Sequence, residues 1–246
     1  MRSVGARSVL FDNNPTIHSY ASVVGPKEAE GPLKNEFDHC FTDSLLGQNS
    51  WEKAESIFQK SAVSHAIIKS KLKPEDIDVI FAGDLLNQCI ASFFGLKDFN
   101  IPLIGVYGAC STMALSLINA CIHVDSGAAQ TAAAVTSSHF CSAERQYRYP
   151  LEYGGVRPPT SQWTVTGSGA VIITKNCGIS AVGYTIGKIV DLEIKDANNM
   201  GAAMAPDDVK IRPYPKNEGM VFFYTQIQYL RGFLALFYYF KPYKLH

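Results

Sequence analysis

Neither sign of charge is in excess in this chain: Lys plus Arg number 22 and Asp plus Glu 22, for a formal net charge of +0 at pH 7. With no global field to draw it toward nucleic acid or anionic lipid, any anion it binds must be held by local groups, and no nucleic-acid partner is expected. The six cysteines, Cys40, Cys89, Cys110, Cys121, Cys141 and Cys177, include no C-x-x-C pair. The N-terminal residues show no charged-then-apolar leader, so the expected compartment is a reduced cytoplasm. His18, His39, His65 and His123 stand in no ligating pattern, and neither a metal site nor a cofactor is assigned. The full G-x-G-x-x-G frame is missing too. Gly167-Ser168-Gly169 fits a tight turn before a strand as well as it fits a phosphate lining.

What is present is a core. Of 246 residues 47% are apolar and only 18% charged, which suits a soluble α/β chain of one large or two small domains and excludes a disordered one. The stretch through about residue 48 is rich in Gly, Pro and Asn and reads as an arm wrapping a core built by later segments, with a strand end at Val23-Val24. Asn49 or Ser50 can cap a helix over 51–70, in which Trp51, Ala54, Ile57, Phe58, Ala62 and Ile68 recur at helical spacing. A strand is predicted over 77–82, a helix over 85–94 and a strand over 101–106. Ala114, Leu117, Ile118, Cys121 and Ile122 share one face of a further helix that Gly127 can terminate. Small and β-branched residues over 131–137 predict a strand buried on both faces. Residues 138–162, with Pro150, Pro158, Pro159, Arg145, Arg148 and Arg157, read as a long irregular loop. Two strands, 169–174 and 179–190, flank Asn176-Cys177-Gly178, which looks like a hairpin turn. The order β-α-β-α-β-α-β-β predicts an α/β layer with a mixed sheet.

The most informative position is Cys110, in Gly108-Ala109-Cys110-Ser111-Thr112, where a predicted strand turns into a predicted helix. There a thiol faces the positive end of a helix dipole, a place for a nucleophile or an anion. Asp84 and Asn87 follow another strand end, where open α/β sheets place ligands, although Asp84 can equally cap the following helix. His139 follows a strand and precedes the long loop, so it is a candidate site residue or a hydrogen-bonded structural histidine.

From Asp207 onward acids nearly vanish, and residues 221–240 are dense in aromatics, with Gln226, Gln228 and Arg231 among them. The run is long enough to span a bilayer, but a central Arg costs about 2.5–3.5 kcal/mol on insertion scales. A membrane helix, a buried helix and a tail outside the fold are the alternatives.

Residues from about Val24 to Pro206 resemble the stage V sporulation protein AD family, thiolase-like proteins of endospore-forming bacteria. The resemblance is carried by VGPKEAEGPL (24–33), EDIDVIFAGDLLNQ (75–88), GACST (108–112), TSSHF with AERQYRYPLEYGG (136–155), TVTGSGAV (164–171) and MGAAMAP (200–206). It implies a thiolase-like half as an N-terminal domain, residues 1–206. Family members continue into a second half, in whose place stands a divergent aromatic-rich tail, residues 207–246, as a frameshift would leave.

The resemblance further implies binding of dipicolinic acid during its uptake into the forespore, beside membrane proteins of the same operon. Localisation would then be cytoplasmic, peripheral at the forespore or spore inner membrane. A flat aromatic dianion wants N–H donors, a cation and an apolar neighbour for its ring. The helix start at Cys110 and Ser111 supplies donors, Arg145 a counter-charge and Tyr147 a ring neighbour. If the ligand arrives as its calcium chelate, Asp84 meets the cation. Thiolases and related condensing enzymes pair the cysteine with His, and often Asn or a second Cys, from the second half. Without those groups, acyl transfer through Cys110 and a non-functional truncated product are the alternatives to a non-catalytic binder. A half fold leaves apolar surface in water at about 25 cal/mol per Å², and self-association into a homo-oligomer is the expected consequence.

Overall fold

A computed structural model describes residues 1–147, 164–175, 177–187 and 221–225; among these, the side chains of residues 87, 110, 144–147 and 221–225 lie outside the description. Within it, β1 (Arg2–Val4), β2 (Ser8–Leu10), β3 (Pro15–Val24) and β4 (His39–Cys40) precede the long helix α2 (Trp51–Ser70), with one short turn of helix, α1 (Pro26–Ala29), between β3 and β4. Then come β5 (Val79–Gly83), α3 (Ile90–Leu96), β6 (Leu103–Gly105), α4 (Thr112–Ser126), β7 (Ala132–Ser138), α5 (Phe140–Tyr147), β8 (Gly167–Lys175), β9 (Ile179–Ile186) and β10 (Val221–Thr225). The strands form one sheet in the order β1-β2-β9-β3-β8-β7-β5-β6, with β4 beside β3 and β10 beside β9. Pairing is parallel across β7, β5 and β6 and antiparallel from β7 through β8 and β3 to β9, so the sheet is mixed as the alternation of elements predicts.

Period-2 alternation divides the buried strand residues between two cores. Phe81, Ala134, Val171 and Ile173 point to α4 and meet Leu117, Ile118, Cys121 and Val124. Ile80, Val135, Ala170 and Ile172 point the other way and meet Phe58, Ala62, Val63 and Ala66 of α2. The result is three layers, with α2 and α4 on opposite faces. All seven residues of β7 are buried, as a strand covered on both sides requires. Ser50 caps α2 by accepting the Lys53 N–H at 3.3 Å, and Gly127 (φ 82°) closes α4 in the left-handed conformation.

The structure corrects several expectations. The N-terminal segment is no wrapping arm: β3 lies in the middle of the sheet, between β8 and β9. Its insertion also removes the hairpin expected around 176–178, because β8 and β9 both pair with β3 rather than with each other. The helix predicted over 85–94 begins only at Ile90, since Gln88 (φ 74°) and Cys89 (φ 51°) are both left-handed. The loop expected over 138–162 contains α5, while its remainder from 148 to 162 lies outside the described residues. Ala54, Phe58 and Ala62 of the expected α2 stripe are buried, but Ile68 is 72% exposed, and Glu55 and Gln59 are fully buried beside them. In the aromatic-rich tail, residues 221–225 form a strand parallel to β9, not the start of a helix. No helix among the described residues is long and apolar enough to cross a membrane.

Candidate functional site

Because β6, β5 and β7 are adjacent and parallel, the segments leaving their carboxyl ends meet at one edge of the sheet, where open α/β sheets hold ligands. From β5 comes the loop of Asp84 and Asn87, from β6 the turn of Cys110 and Ser111, and from β7 His139 and then α5. Gly83, the last residue of β5, makes the first contact possible. A Cβ there would collide with the Val106 carbonyl oxygen and with Cγ2 of Thr112, so only glycine lets the 106–112 turn lie against the strand. Cys89 Sγ donates to the Val106 carbonyl at 3.5 Å, tying the two loops together. The ends of β3 and β8 join the same edge: Glu28 Oε1 accepts the Thr166 N–H (3.0 Å), and Phe140 N–H donates to Thr166 Oγ1 (3.1 Å). Burial pushes the Glu28 carboxyl above its usual range. Thus most of the stretches that carry the resemblance come to a single place.

The turn before α4 is closed on itself. Gly108 N–H donates to Thr112 Oγ1 (3.1 Å), Thr112 Oγ1 donates to Ala109 O (2.6 Å), and Ser111 Oγ donates to Gly108 O (2.7 Å). Ala109 is left-handed (φ 47°), an unusual conformation for a residue with a Cβ, immediately before Cys110. Ser111, at the N-cap position, makes no capping bond with its side chain, so the first turn of α4 receives none from it. The Cys110 backbone lies in this turn; its side chain, like those of Asn87, Arg145 and Tyr147, lies outside the described residues.

Asp84 and His139 are occupied by structure. Asp84 Oδ1 accepts the Leu86 N–H (2.9 Å), and Oδ2 accepts both the N–H (3.0 Å) and the hydroxyl (2.7 Å) of Ser92, in the first turn of α3. It therefore caps that helix from a distance while being 1% exposed. Burial raises its pKa, the bonds from Ser92 opposing the shift. The His139 ring is fully buried, with Nε2 at 2.9 Å from Ser44 O and Nδ1 accepting the Cys141 N–H at 3.2 Å. A carbonyl only accepts, so Nε2 carries the proton. The ring stacks on Phe140 (5.3 Å) and lies 5.2 Å from Trp51.

Beneath this edge lies a polar network that the sequence reading missed. Glu55 accepts from Ser137 Oγ and Ser142 Oγ, each at 2.9 Å. Gln59 Nε2 reaches Gly83 O (3.0 Å), Ser92 Oγ (3.1 Å) and Ser137 Oγ (3.3 Å). Two residues of α2, one turn apart, thereby bridge the ends of β5 and β7 and the starts of α3 and α5. Burial, with the Asp84 charge adding to it, pushes the Glu55 carboxyl up to about 8, so it is protonated at neutral pH. The available signal was the helical position of Glu55 and Gln59, on the same face as Phe58 and Ala62.

Fold and site together define an α/β protein whose mixed three-layer sheet gathers its loops at the carboxyl ends of parallel strands. The chain belongs to the stage V sporulation protein AD family, whose model matches residues 5–214, a longer stretch at both ends than the resemblance over 24–206. It is 43% identical over 207 residues to stage V sporulation protein AD of Bacillus subtilis (strain 168), covering 84% of this chain and 61% of that protein. The chain thus spans less than two thirds of the length of that relative. Among solved structures it is similar to 3-oxoacyl-(acyl carrier protein) synthase III from Xanthomonas oryzae pv. oryzae, at 15% identity and a TM-score of 0.46 over 68% of this chain and 57% of that one. Cerulenin-bound OleA from Xanthomonas campestris is similar at 14% identity and a TM-score of 0.45, over 68% and 58% respectively. The fold assignment rests on the strand order and the family match rather than on these two likenesses.

Proposed function

We propose that this sporulation-family chain is a non-catalytic binder of dipicolinic acid, working in its uptake into the forespore. The observation that carries the reading is the meeting of the Cys110 turn, the Asp84 loop and the start of α5 at the carboxyl ends of three parallel strands, beside a helix start that Ser111 leaves uncapped. The Ser111 and Thr112 N–H groups donate to Gly108 O and Ala109 O within the turn, so a carboxylate here is drawn by the positive end of the α4 dipole and displaces or shares those bonds. Arg145 and Tyr147, on α5, are the residues assigned to the second carboxylate and the ring. Asp84, already accepting three hydrogen bonds, serves the site by shaping its loop, and as a cation ligand for a calcium chelate only if those bonds loosen.

The same observations disfavour acyl transfer. A thiol nucleophile needs a base, and His139 has both ring nitrogens engaged. Partners in this reading are dipicolinate, membrane proteins of the same operon at the forespore or spore inner membrane, and a second copy of the chain. Self-association is supported by exposed Phe93, Phe94 and Ile104 beside the edge strand β6. Calorimetric titration of the folded chain with dipicolinate, alone and with equimolar calcium, tests the proposal. Saturable heat that Arg145→Ala weakens is expected; a folded sample giving none under either condition overturns it.

A further inference from the structure

At the opposite end of the sheet from the candidate site, β3 carries a bulge. Ile17 pairs with Ile173 and Ser19 with Ile172, so His18 is the extra residue, freed from the ladder and re-aimed. Its Nδ1 lies 3.1 Å from Sγ of Cys177, and its Nε2 lies 3.1 Å from the Ser70 carbonyl oxygen. Since that carbonyl can only accept, Nε2 carries the proton of the neutral ring and the Nδ1 lone pair faces the sulfur. Ser70 is the last residue of α2, so the ring is anchored to the end of that helix.

The backbone that carries the thiol is held in place as well. Thr16 Oγ1 accepts the Cys177 N–H (3.0 Å) and donates to the Cys177 carbonyl (2.9 Å). The next residue, Gly178 (φ 115°), has no room for a Cβ, which would collide with the Ile17 carbonyl. A bulge, a glycine-only approach and a threonine clamp thus converge on one exposed thiol–imidazole contact, with a third group orienting the base.

We propose that Cys177 and His18 form a thiol-exchange site that takes up a low-molecular-weight disulfide as a mixed disulfide. The Cys177 proton passes to His18 Nδ1, and the thiolate attacks one sulfur of R–S–S–R. The new Sγ–S bond forms as the old S–S bond breaks, and the departing R–S⁻ takes the proton from His18. One thiol and one disulfide give one mixed disulfide and one thiol, so no further oxidant is needed.

Oxidised glutathione is the probe. The whole chain is incubated with it at neutral pH, quenched with acid at intervals and mapped by peptide mass spectrometry. Cys177 is expected to be modified about tenfold faster than the partly buried Cys40 and Cys141, and the advantage should vanish in urea. His18→Gln, which retains a donor for Ser70 O but no base, should slow Cys177 about tenfold and leave Cys40 and Cys141 unchanged; His18→Asn serves if that variant does not fold. Modification of Cys177 no faster than of Cys141, an advantage that survives urea, or a rate indifferent to both substitutions overturns the proposal.

Discussion

Replacing Glu55 by Gln should make the protein more stable at neutral and alkaline pH. The carboxyl is fully buried, and burial together with Asp84 lifts it from 4.5 to about 8. A raised carboxyl binds more protons folded than unfolded between those two values. Stability therefore falls as pH rises from about 4.5 through about 8, and levels off above. At 1.36 kcal/mol per pH unit, the wild-type loss is at most about 1 kcal/mol at pH 5, about 3 kcal/mol at pH 7 and nearly 5 kcal/mol at pH 8.5. The Gln side chain keeps the shape. Its carbonyl accepts from Ser137, and its amide donates to Ser142 Oγ, whose hydroxyl can remain on His139 O at 3.1 Å. Urea unfolding of both proteins at pH 5, 7 and 8.5 reads the difference directly. The advantage of Glu55→Gln should grow by about 2 kcal/mol from pH 5 to 7 and further to 8.5. A difference that stays flat with pH, or shrinks as pH rises, refutes the assignment of a proton to Glu55.

Three further outcomes follow from the geometry. Asp84→Asn cannot accept from Leu86 and from both groups of Ser92, and should cost about 2–3 kcal/mol in urea unfolding even with no ligand present; a neutral effect would argue against the capping role. Gly83→Ala drives a methyl into Val106 and Thr112 and should cost about 1–3 kcal/mol while weakening dipicolinate heat, because the Cys110 turn must move; undiminished heat would place the ligand elsewhere. Phe58→Ala, fully buried between α2 and the sheet, should cost about 3–5 kcal/mol in the same assay, and less than about 1 kcal/mol would contradict the packing.

What could be read from the sequence was what local chemistry decides. The Ser50 cap, the Gly127 stop and the all-buried small residues of β7 each follow from a few neighbours. The central position of β3 did not, because its hydroxyl residues disguise burial. Thr16 and Ser19 are buried, the Thr16 hydroxyl proton shared between Cys177 O (2.9 Å) and Thr174 O (3.1 Å) and that of Ser19 given to Ala66 O (2.8 Å). Helical position puts Glu55 and Gln59 on the buried face, but their partners come from four elements distant in the chain, β5, α3, β7 and α5, which no neighbouring residue identifies. At the candidate edge, sequence located the three segments that meet, while the occupation of Asp84 and His139 by structural bonds depends on Ser92 and Ser44, which nothing local points to.

The lodging of β3 between β8 and β9 bears on how the molecule comes into being. Residues 15–24 find their partners at 167–175, so the middle of the sheet closes only after roughly 150 intervening residues exist. During synthesis that early segment waits, one flank wholly open and the other met only by β4 at residues 23–24, while α2, β5, α4 and β7 assemble nearby. Long loops of this kind slow the search for the native arrangement, and a translating ribosome would expose an adhesive ribbon for most of its passage.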